Sequence, residues 1–422
     1  MINIAVKSKC TGCSACVQKC PKQCISFEED SEGFYYPQVK LSLCINCGLC
    51  ENVCPVLHQD KPRTPEIVYA AKNSNLSTRL ASSSGGIFAL LAEIILRQNG
   101  VVFGARFDNE WNVIHDYTDS LDGLSVFLGS KYVQSKIGNT YKLAEQFLKE
   151  GRKVLFSGTP CQIVGLKKYL RKEYDNLLTV DFVCHGVPSP MIWRDYLNEK
   201  IRPLGVDGRN MVSQLSLKDL PVITGISFRD KRYGWKKFGF SVRVKSASKA
   251  DKNLVSQSVE VTDKTLLYEP HKANLYMKGF LKNLYLRPSC YACPAKCGKS
   301  GADYTLADFW GASTYVGDFD DDKGLSAVLV YTNKVNIESL SMAFKIVGLN
   351  DVLSQNPAVI KSSRKKGGRN KFFQHYNRGH QVDLINRYSK YTMKENIRYT
   401  AIKLLVGLHL AKFIKNLNSA TL

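Results

Sequence analysis

Hydrophobic and polar positions divide the chain into a cysteine-rich head, a long stretch of alternating apolar runs, and a basic tail. Leu57-His58-Gln59-Asp60-Lys61-Pro62-Arg63-Thr64-Pro65 places two prolines among polar side chains and reads as a linker. After it, the apolar run Ile67-Val68-Tyr69-Ala70-Ala71 predicts a strand. The stretch from Ile87 to Leu96 predicts a helix, Gly100 ends it, and Val101-Val102-Phe103-Gly104-Ala105 predicts the next strand. A further strand is expected around Val113-Ile114-His115. Two strand-loop-helix units follow. Lys153-Val154-Leu155-Phe156 leads into a helix over 162–170, and the run from Leu177 to Val183 leads into a helix from Met191 to Glu199. Strands alternating with helices argue for a parallel sheet, whose ligands collect at the carboxyl ends of its strands. Beyond Gly205 the pattern is mixed, with strand-like stretches near 223–228, 238–244 and 258–261.

At 422 residues the chain is too long for one compact core. The breaks suggest units at 1–60, 61–150, 151–335 and 336–422. No run of 18 apolar residues occurs, so no membrane span is expected. The net charge of +22 is unevenly spread. Residues 1–60 carry five Lys against six Asp or Glu, whereas residues 361–422 carry fourteen Lys or Arg against two acids. That tail reads as a solvated, partly disordered terminus. It also reads as a peripheral membrane helix, since Ile402, Leu405, Val406, Phe413, Ile414 and Leu417 can share an apolar stripe flanked by Lys403, Lys412 and Lys415. No groove-reading or RNA-reading motif supports nucleic-acid binding.

Nine cysteines fall within the first 54 residues, and eight of them spell one pattern twice. Cys10, Cys13, Cys16, Cys20 and Pro21 form C-x2-C-x2-C-x3-C-P, and Cys44, Cys47, Cys50, Cys54 and Pro55 repeat it. Two-residue gaps wrap three thiolates around one iron-sulfur cube, and the fourth cysteine swings to the partner cube. Cys10, Cys13, Cys16 and Cys54 are expected to hold one [4Fe-4S] cluster, and Cys20, Cys44, Cys47 and Cys50 the other. Zinc prefers pairs of cysteines or cysteine-histidine mixtures, and a disulfide framework needs a secreted context. The run Ile2-Asn3-Ile4-Ala5-Val6 is too short for a signal-peptide core, so a cytoplasmic, reducing setting is expected. Cys24 lies outside the pattern and reads as a small buried side chain.

Three further constellations carry chemistry. Ser82-Ser83-Ser84-Gly85-Gly86 opens a helix, where hydroxyls, glycine amides and the helix dipole suit a phosphate; a serine cap at Ser84 is the competing reading. Ser157-Gly158-Thr159-Pro160-Cys161 and Cys184-His185-Gly186 sit at neighbouring strand ends. The first suits a pyrophosphate or flavin ring, or a metal through Cys161; in the second, His185 is either a proton donor, a cluster neighbour or a satisfied structural group. Cys290, Cys293 and Cys297 form C-x2-C-x3-C and need a fourth ligand, for which Cys161 and Cys184 are the unassigned thiols. A third [4Fe-4S] cluster is the expectation, with zinc as the competitor. Asp303 and Asp308 are candidate acids or hydrogen-bonding groups, and Trp310 packs either on a ring cofactor or in the core.

Several of these segments occur in a recognisable order: Ser83-Ser84-Gly85-Gly86, Gly129-Ser130-Lys131-Tyr132-Val133-Gln134-Ser135, Gly158-Thr159-Pro160-Cys161-Gln162, Cys184-His185-Gly186, Leu286-Arg287-Pro288-Ser289-Cys290 through Cys297, and Asp308-Phe309-Trp310-Gly311. Over residues 66–330 the chain resembles the beta subunit family of coenzyme F-420 hydrogenases and dehydrogenases, which includes chlorophyll-pathway reductases. Its first 60 residues resemble a bacterial two-cluster ferredoxin. The resemblance implies an α+β multidomain architecture in which a small two-cluster domain precedes an α/β flavin-binding domain. It implies FAD beside a [4Fe-4S] cluster. Ser83, Ser84, Gly85 and Gly86 would meet the FAD phosphates, Lys131 would approach the flavin ring, and Ser157, Gly158, Thr159 and Pro160 would line the same cofactor. Cys290, Cys293 and Cys297 would hold the cluster with one upstream cysteine. Ala307 departs from the family's T-L-G-D-F-W-G run by one methyl. The implied function is an oxidoreductase that moves single electrons from a redox partner protein or reduced ferredoxin to FAD and on to an organic substrate, with deazaflavin coenzyme or a polysaccharide-pathway compound as candidates. His185 or Asp308 would supply a proton. The competing readings are a non-catalytic electron-transfer subunit and a redox-sensing scaffold.

Overall fold

The computed structural model describes residues 1–204, 222–247, 261–379 and 381–390. The membrane-surface stripe expected from Ile402 to Leu417 and the first residues of the strand expected at 258–261 lie outside the described residues. Among those described, no helix is long and apolar enough to cross a membrane.

The cysteine-rich head is built from helix α1 (Ala15–Lys19), an antiparallel hairpin of β1 (Ile25–Glu29) and β2 (Tyr35–Val39), and helix α2 (Leu49–Asn52). Each helix follows a left-handed residue inside its cysteine motif, Ser14 at φ 69° and Gly48 at φ 75°. The sharp turn lets closely spaced thiols face inward. Strand β3 (Ile67–Asn73) begins the main body and is followed by helices α3 (Leu76–Ala81) and α4 (Ile87–Arg97). Then come β4 (Val101–Phe107), β5 (Val113–Thr118), α5 (Thr140–Lys149), β6 (Val154–Gly158), α6 (Pro160–Leu170), β7 (Leu177–Phe182) and α7 (Pro190–Tyr196). A second sheet holds β8 (Val222–Asp230), β9 (Gly239–Ala247) and β10 (Val261–Pro270), all antiparallel. Helix α8 (Leu275–Leu281) and strands β11 (Tyr304–Asp308), β12 (Ser326–Val330) and β13 (Met342–Ile346) complete the parts that bear on the site.

Eight strands form the main sheet in the order β13-β3-β12-β11-β7-β6-β4-β5. The expected parallel sheet is therefore only its centre. Strands β4, β6, β7 and β11 run parallel, while β5, β12, β3 and β13 pair antiparallel. Short apolar runs carry no sign of direction, and two reversals are made by local turns. Asp108, whose Oδ1 accepts from the Glu110 and Asn112 amides, folds β5 back on β4. The sheet draws strands from both sides of residue 150 and, through β13, from beyond residue 336.

The central strands are apolar on both faces, as parallel strands covered by helices must be. One face packs Leu155, Leu178 and Val180 against Ile87, Leu91 and Ile95 of α4. The other packs Phe103, Val154 and Phe156 against Ile163 and Leu166 of α6, and Cys13, Ala15 and Val53 of the head join that same cluster. Phe156 is fully buried, which contributes roughly 2–3 kcal/mol of transfer free energy. A third core gathers Trp193, Phe228, Phe240, Tyr276 and Phe280 with Phe372, Tyr376 and Ile385, so the start of the basic extension is packed rather than free. The helix expected to reach Glu199 stops at Tyr196 and continues as a π turn over Leu197–Ile201.

Candidate functional site

The eight head cysteines separate into two groups. The thiols of Cys10, Cys13, Cys16 and Cys54 each feel the others' charge in every pairwise combination. Cys20, Cys44, Cys47 and Cys50 line one small hollow together with Cys24. This is the division that the double motif predicts, with each fourth cysteine crossing to the other group. Cys24 is buried, and its Sγ lies 3.4 Å from that of Cys20. Cys47 is exposed, so the second group faces solvent, and the first lies further in.

Helix α6 begins at Pro160, where Thr159 and Gln162 form a reciprocal cap. Cys161 thereby sits in its first turn. Cys184 follows the carboxyl end of β7, with its carbonyl accepting from Lys296 Nζ at 2.5 Å. Cys290 and Cys293 flank a short helical turn over Pro288–Ala292, and the Val187 amide reaches Cys290 Sγ at 3.4 Å. The thiols of Cys161, Cys184, Cys290 and Cys293 lie within one another's electrostatic reach in all six pairs. Cys297 is placed differently. Its backbone is left-handed, at φ 60°, its Sγ faces the Ile360 carbonyl at 3.6 Å, and it neighbours Tyr331. The structure thus brings both Cys161 and Cys184 to Cys290 and Cys293, where the spacing suggested Cys297 and only one of them.

Burial pushes the thiols of Cys13, Cys184 and Cys290 up to about 12, and neighbouring thiols push the same way. Buried thiols so crowded ionise only around a strongly cationic centre, which is the environment that an iron-sulfur cluster supplies. All three four-thiol groups fit that requirement. The groups are also contiguous. Cys13 is an electrostatic neighbour of Cys161, and Tyr141 packs by both while donating to the Gln162 carbonyl at 2.8 Å. Cys50 likewise neighbours Cys16 and Cys54.

Beyond Cys184 lies a cavity of about 680 Å³ at the carboxyl ends of the parallel strands. Ser83, Ser84, Gly86, Lys131, Ser157, Gly158, Thr159, Cys184, His185, Asp308 and Trp310 line it. Gly85 and Pro160 do not form its surface; the Gly85 amide instead donates to Ser326 Oγ at 2.9 Å, and Pro160 is buried in α6. Ser84 is not the cap of α4. Gly86 holds that position at φ 81° with no side-chain cap, and Ser84 Oγ donates to the Leu325 carbonyl. The first amides of α4 are left without a side-chain acceptor, and Ile87 and Phe88 line the cavity. An anion suits that end.

Lys131 is wholly buried, donating to the carbonyls of Leu128 at 3.0 Å and Gly129 at 3.2 Å; burial lowers its ammonium to about 7. Asp308 is held by Arg229, Nη1 to Oδ2 at 2.8 Å. The guanidinium also reaches the Ser83 carbonyl, stacks over Phe238 and Trp310, and leaves its buried Nε without a hydrogen-bond partner among the described residues. Trp310 stacks on Trp235 at 4.7 Å, so it serves the packing and the cavity wall together. His185 pairs through Nε2 with Asn283 Oδ1, and burial lowers its pKa. Asp303 lies between strands, accepting from the Thr179 amide at 2.8 Å and hydroxyl at 2.7 Å, and takes no part in the cavity wall.

Several cavity residues had no motif to announce them. His115 is clamped between Ser135 Oγ and the Ser157 carbonyl, each at 2.9 Å, and burial lowers it to about 4. Gln162 Nε2 donates to the same Ser135 at 2.9 Å. Asp181, next to the end of β7, accepts from Thr305 at 2.5 Å, and burial raises it to about 6. Arg229, Lys236 and His271 arrive from the second sheet and its flanking turns. For His115 the one available sign was its place at the end of a predicted strand.

Residues 151–337 match the family model for the C terminus of the coenzyme F420 hydrogenase/dehydrogenase beta subunit, and residues 9–57 match that of a 4Fe-4S dicluster domain. Over 52 residues the chain is 36% identical to an uncharacterized ferredoxin from Methanocaldococcus jannaschii, covering 12% of this chain and 66% of that protein. Over 50 residues it is 44% identical to a ferredoxin 7Fe from Hydrogenibacillus schlegelii, covering 11% and 58%. The chain therefore spans less than two thirds of the length of either curated relative. Among solved structures it is similar to a chain of the F420-reducing [NiFe] hydrogenase complex from Methanosarcina barkeri, with a TM-score of 0.41, 16% identity, and coverage of 73% of this chain and 98% of that one.

Proposed function

We propose that this member of the coenzyme F420 hydrogenase/dehydrogenase beta subunit family, with its N-terminal 4Fe-4S dicluster domain, is an iron-sulfur flavoprotein oxidoreductase. In this reading, Cys20, Cys44, Cys47 and Cys50 hold an outer [4Fe-4S] cluster. Cys10, Cys13, Cys16 and Cys54 hold an inner one, and Cys161, Cys184, Cys290 and Cys293 hold a third. FAD occupies the cavity behind Cys184. One observation carries the reading: the thiol groups follow one another without a break from the exposed Cys47 to the wall of the cavity. Bound there, the flavin supplies the two-electron capacity that one-electron clusters lack.

The protein's own residues do the rest. Ser83 and the uncapped start of α4 receive the phosphates, and Ser157, Gly158 and Thr159 form the floor. Lys131, buried without a carboxylate among its hydrogen-bond partners, places a titratable cation against the ring. Asp308 fixes Arg229, which makes it a positioning group in this reading rather than a proton source. His185 holds one proton at Nε2 toward Asn283 and presents Nδ1 for proton transfer. Electrons enter from a redox partner protein such as reduced ferredoxin and leave to an organic two-electron acceptor, deazaflavin coenzyme or a polysaccharide-pathway compound; the reverse direction is chemically equal.

Anaerobic mixing with reduced ferredoxin tests this. Wild-type protein should lose its flavin absorbance, and Cys184→Ser should retain flavin yet bleach at least tenfold more slowly. Protein that holds no flavin, or a variant that bleaches at the wild-type rate, would sink the proposal. His185→Ala with full turnover and normal flavin content would remove the role given to His185.

A further inference from the structure

Arg287 is 1% exposed, and every acceptor it meets among the described residues is uncharged. Its Nε donates to the Cys10 carbonyl at 2.8 Å, Nη1 to Gln134 Oε1 at 3.1 Å, and Nη2 to the Tyr35 carbonyl at 2.9 Å and to Cys10 Sγ at 3.6 Å. The guanidinium also lies 4.3 Å from the Tyr36 ring centre. A buried cation with no anionic partner is strongly disfavoured. The head makes room for it nonetheless. A Cβ on Gly12 would lie 2.9 Å from the guanidinium carbon, so the glycine between Cys10 and Cys13 is what admits the group. At its other end, Arg287 starts the turn that carries Cys290, whose amide bonds the Arg287 carbonyl at 2.9 Å.

The missing anion is a thiolate-bound cluster at Cys10. We propose that Arg287 is the counter-charge of the inner cluster, stabilising its reduced form so that it takes an electron before the outer cluster does. The inference rests on the three-cluster reading above. One electron passes from an external reduced carrier through the outer site to the inner one; no bond forms or breaks, and the fixed positive charge offsets the added negative charge. Net charge and hydrogen bonds to the sulfurs set such potentials, and Arg287 supplies both to Cys10 alone among the head cysteines described. Its position also ties the inner site to the Cys290 turn, which keeps the next site on the route at a fixed distance.

Redox titration of the full-length, cluster-loaded chain, followed by electron paramagnetic resonance, tests this. The inner signal is identified as the one that narrows in Cys184→Ser, where the third cluster is lost. In the wild type it should be the first of the two head signals to appear. Arg287→Gln should disfavour its reduction about tenfold, a shift of about 59 mV to lower potential for one electron, and leave the outer midpoint in place. Arg287→Lys should recover most of that shift. An outer signal that appears first in the wild type, or unchanged midpoints in Arg287→Gln at full iron content, would overturn the role of Arg287 while leaving the three-cluster reading intact. Wild-type protein with too little iron for both head clusters would overturn the two together.

Discussion

Gly165 of helix α6 stands directly against Cys13: a Cβ at that position would lie 2.8 Å from the Cys13 Cβ and 3.2 Å from its Sγ. The helix that carries Cys161 in its first turn therefore rests its second turn on the loop of the inner cluster site. A single missing side chain joins the head to the body at the point where electrons must cross. Cys13, Ile163 and Leu166 share one apolar cluster around that contact.

Gly165→Val should force α6 and the Cys13 loop apart. Overpacking of this kind costs about 1–3 kcal/mol. Denaturant unfolding of the cluster-loaded protein should show that loss together with a fall of about four irons per chain. Gly367, whose Cβ would meet nothing within 4 Å, is the control, and Gly367→Val should change neither quantity.

Cys161→Ser and Cys184→Ser should each remove about four irons per chain, because both thiols belong to the third group. Cys297→Ser should keep the full complement, since its thiol is turned to the Ile360 carbonyl. Iron loss in Cys297→Ser with retention in Cys161→Ser would restore the ligand set suggested by the spacing.

Asp308→Asn should destabilise the protein by about 3–5 kcal/mol, since it leaves the Arg229 guanidinium buried without its carboxylate. The double variant Arg229→Met, Asp308→Leu should be less destabilised than the sum of the two single changes. A double-mutant cycle in urea measures that coupling.

His115 should make the fold acid-sensitive. Its burial, reinforced by the Lys131 charge, holds its pKa at about 4, below the ordinary 6.5. Between those values the unfolded chain binds a proton that the folded chain does not, so stability falls as pH drops from 6.5 to 4. From pH 7 to pH 5 the loss is about 2 kcal/mol. Comparing wild type with His115→Gln isolates it, because acid effects on the clusters are common to both. Equal pH dependence in the two proteins would show that His115 is not kept neutral.

The eight head cysteines could be assigned from sequence because their motif encodes ligand geometry within a dozen residues; no distant contact is needed. The strands and helices from Ile67 to Leu170 were equally readable, since apolar runs bounded by Gly and Pro mark them locally. Strand direction was not, because β3 and β12 pair across some 260 residues of chain. For the same reason the spacing named Cys297 and left Cys161 and Cys184 as alternatives: a left-handed backbone at Cys297 turns it aside, and β7 and α6 deliver the other two from afar. Arg229 and Arg287 were opaque because each takes its meaning from partners 79 and 277 residues away.

The central claim is the unbroken line of three clusters ending at a flavin. Anaerobic purification followed by iron, sulfide, zinc and flavin quantification on one sample tests it most directly. The account predicts about twelve irons, about twelve sulfides and one FAD per chain. About eight irons with zinc and no flavin would contradict it, leaving a two-cluster ferredoxin domain joined to a body with another purpose.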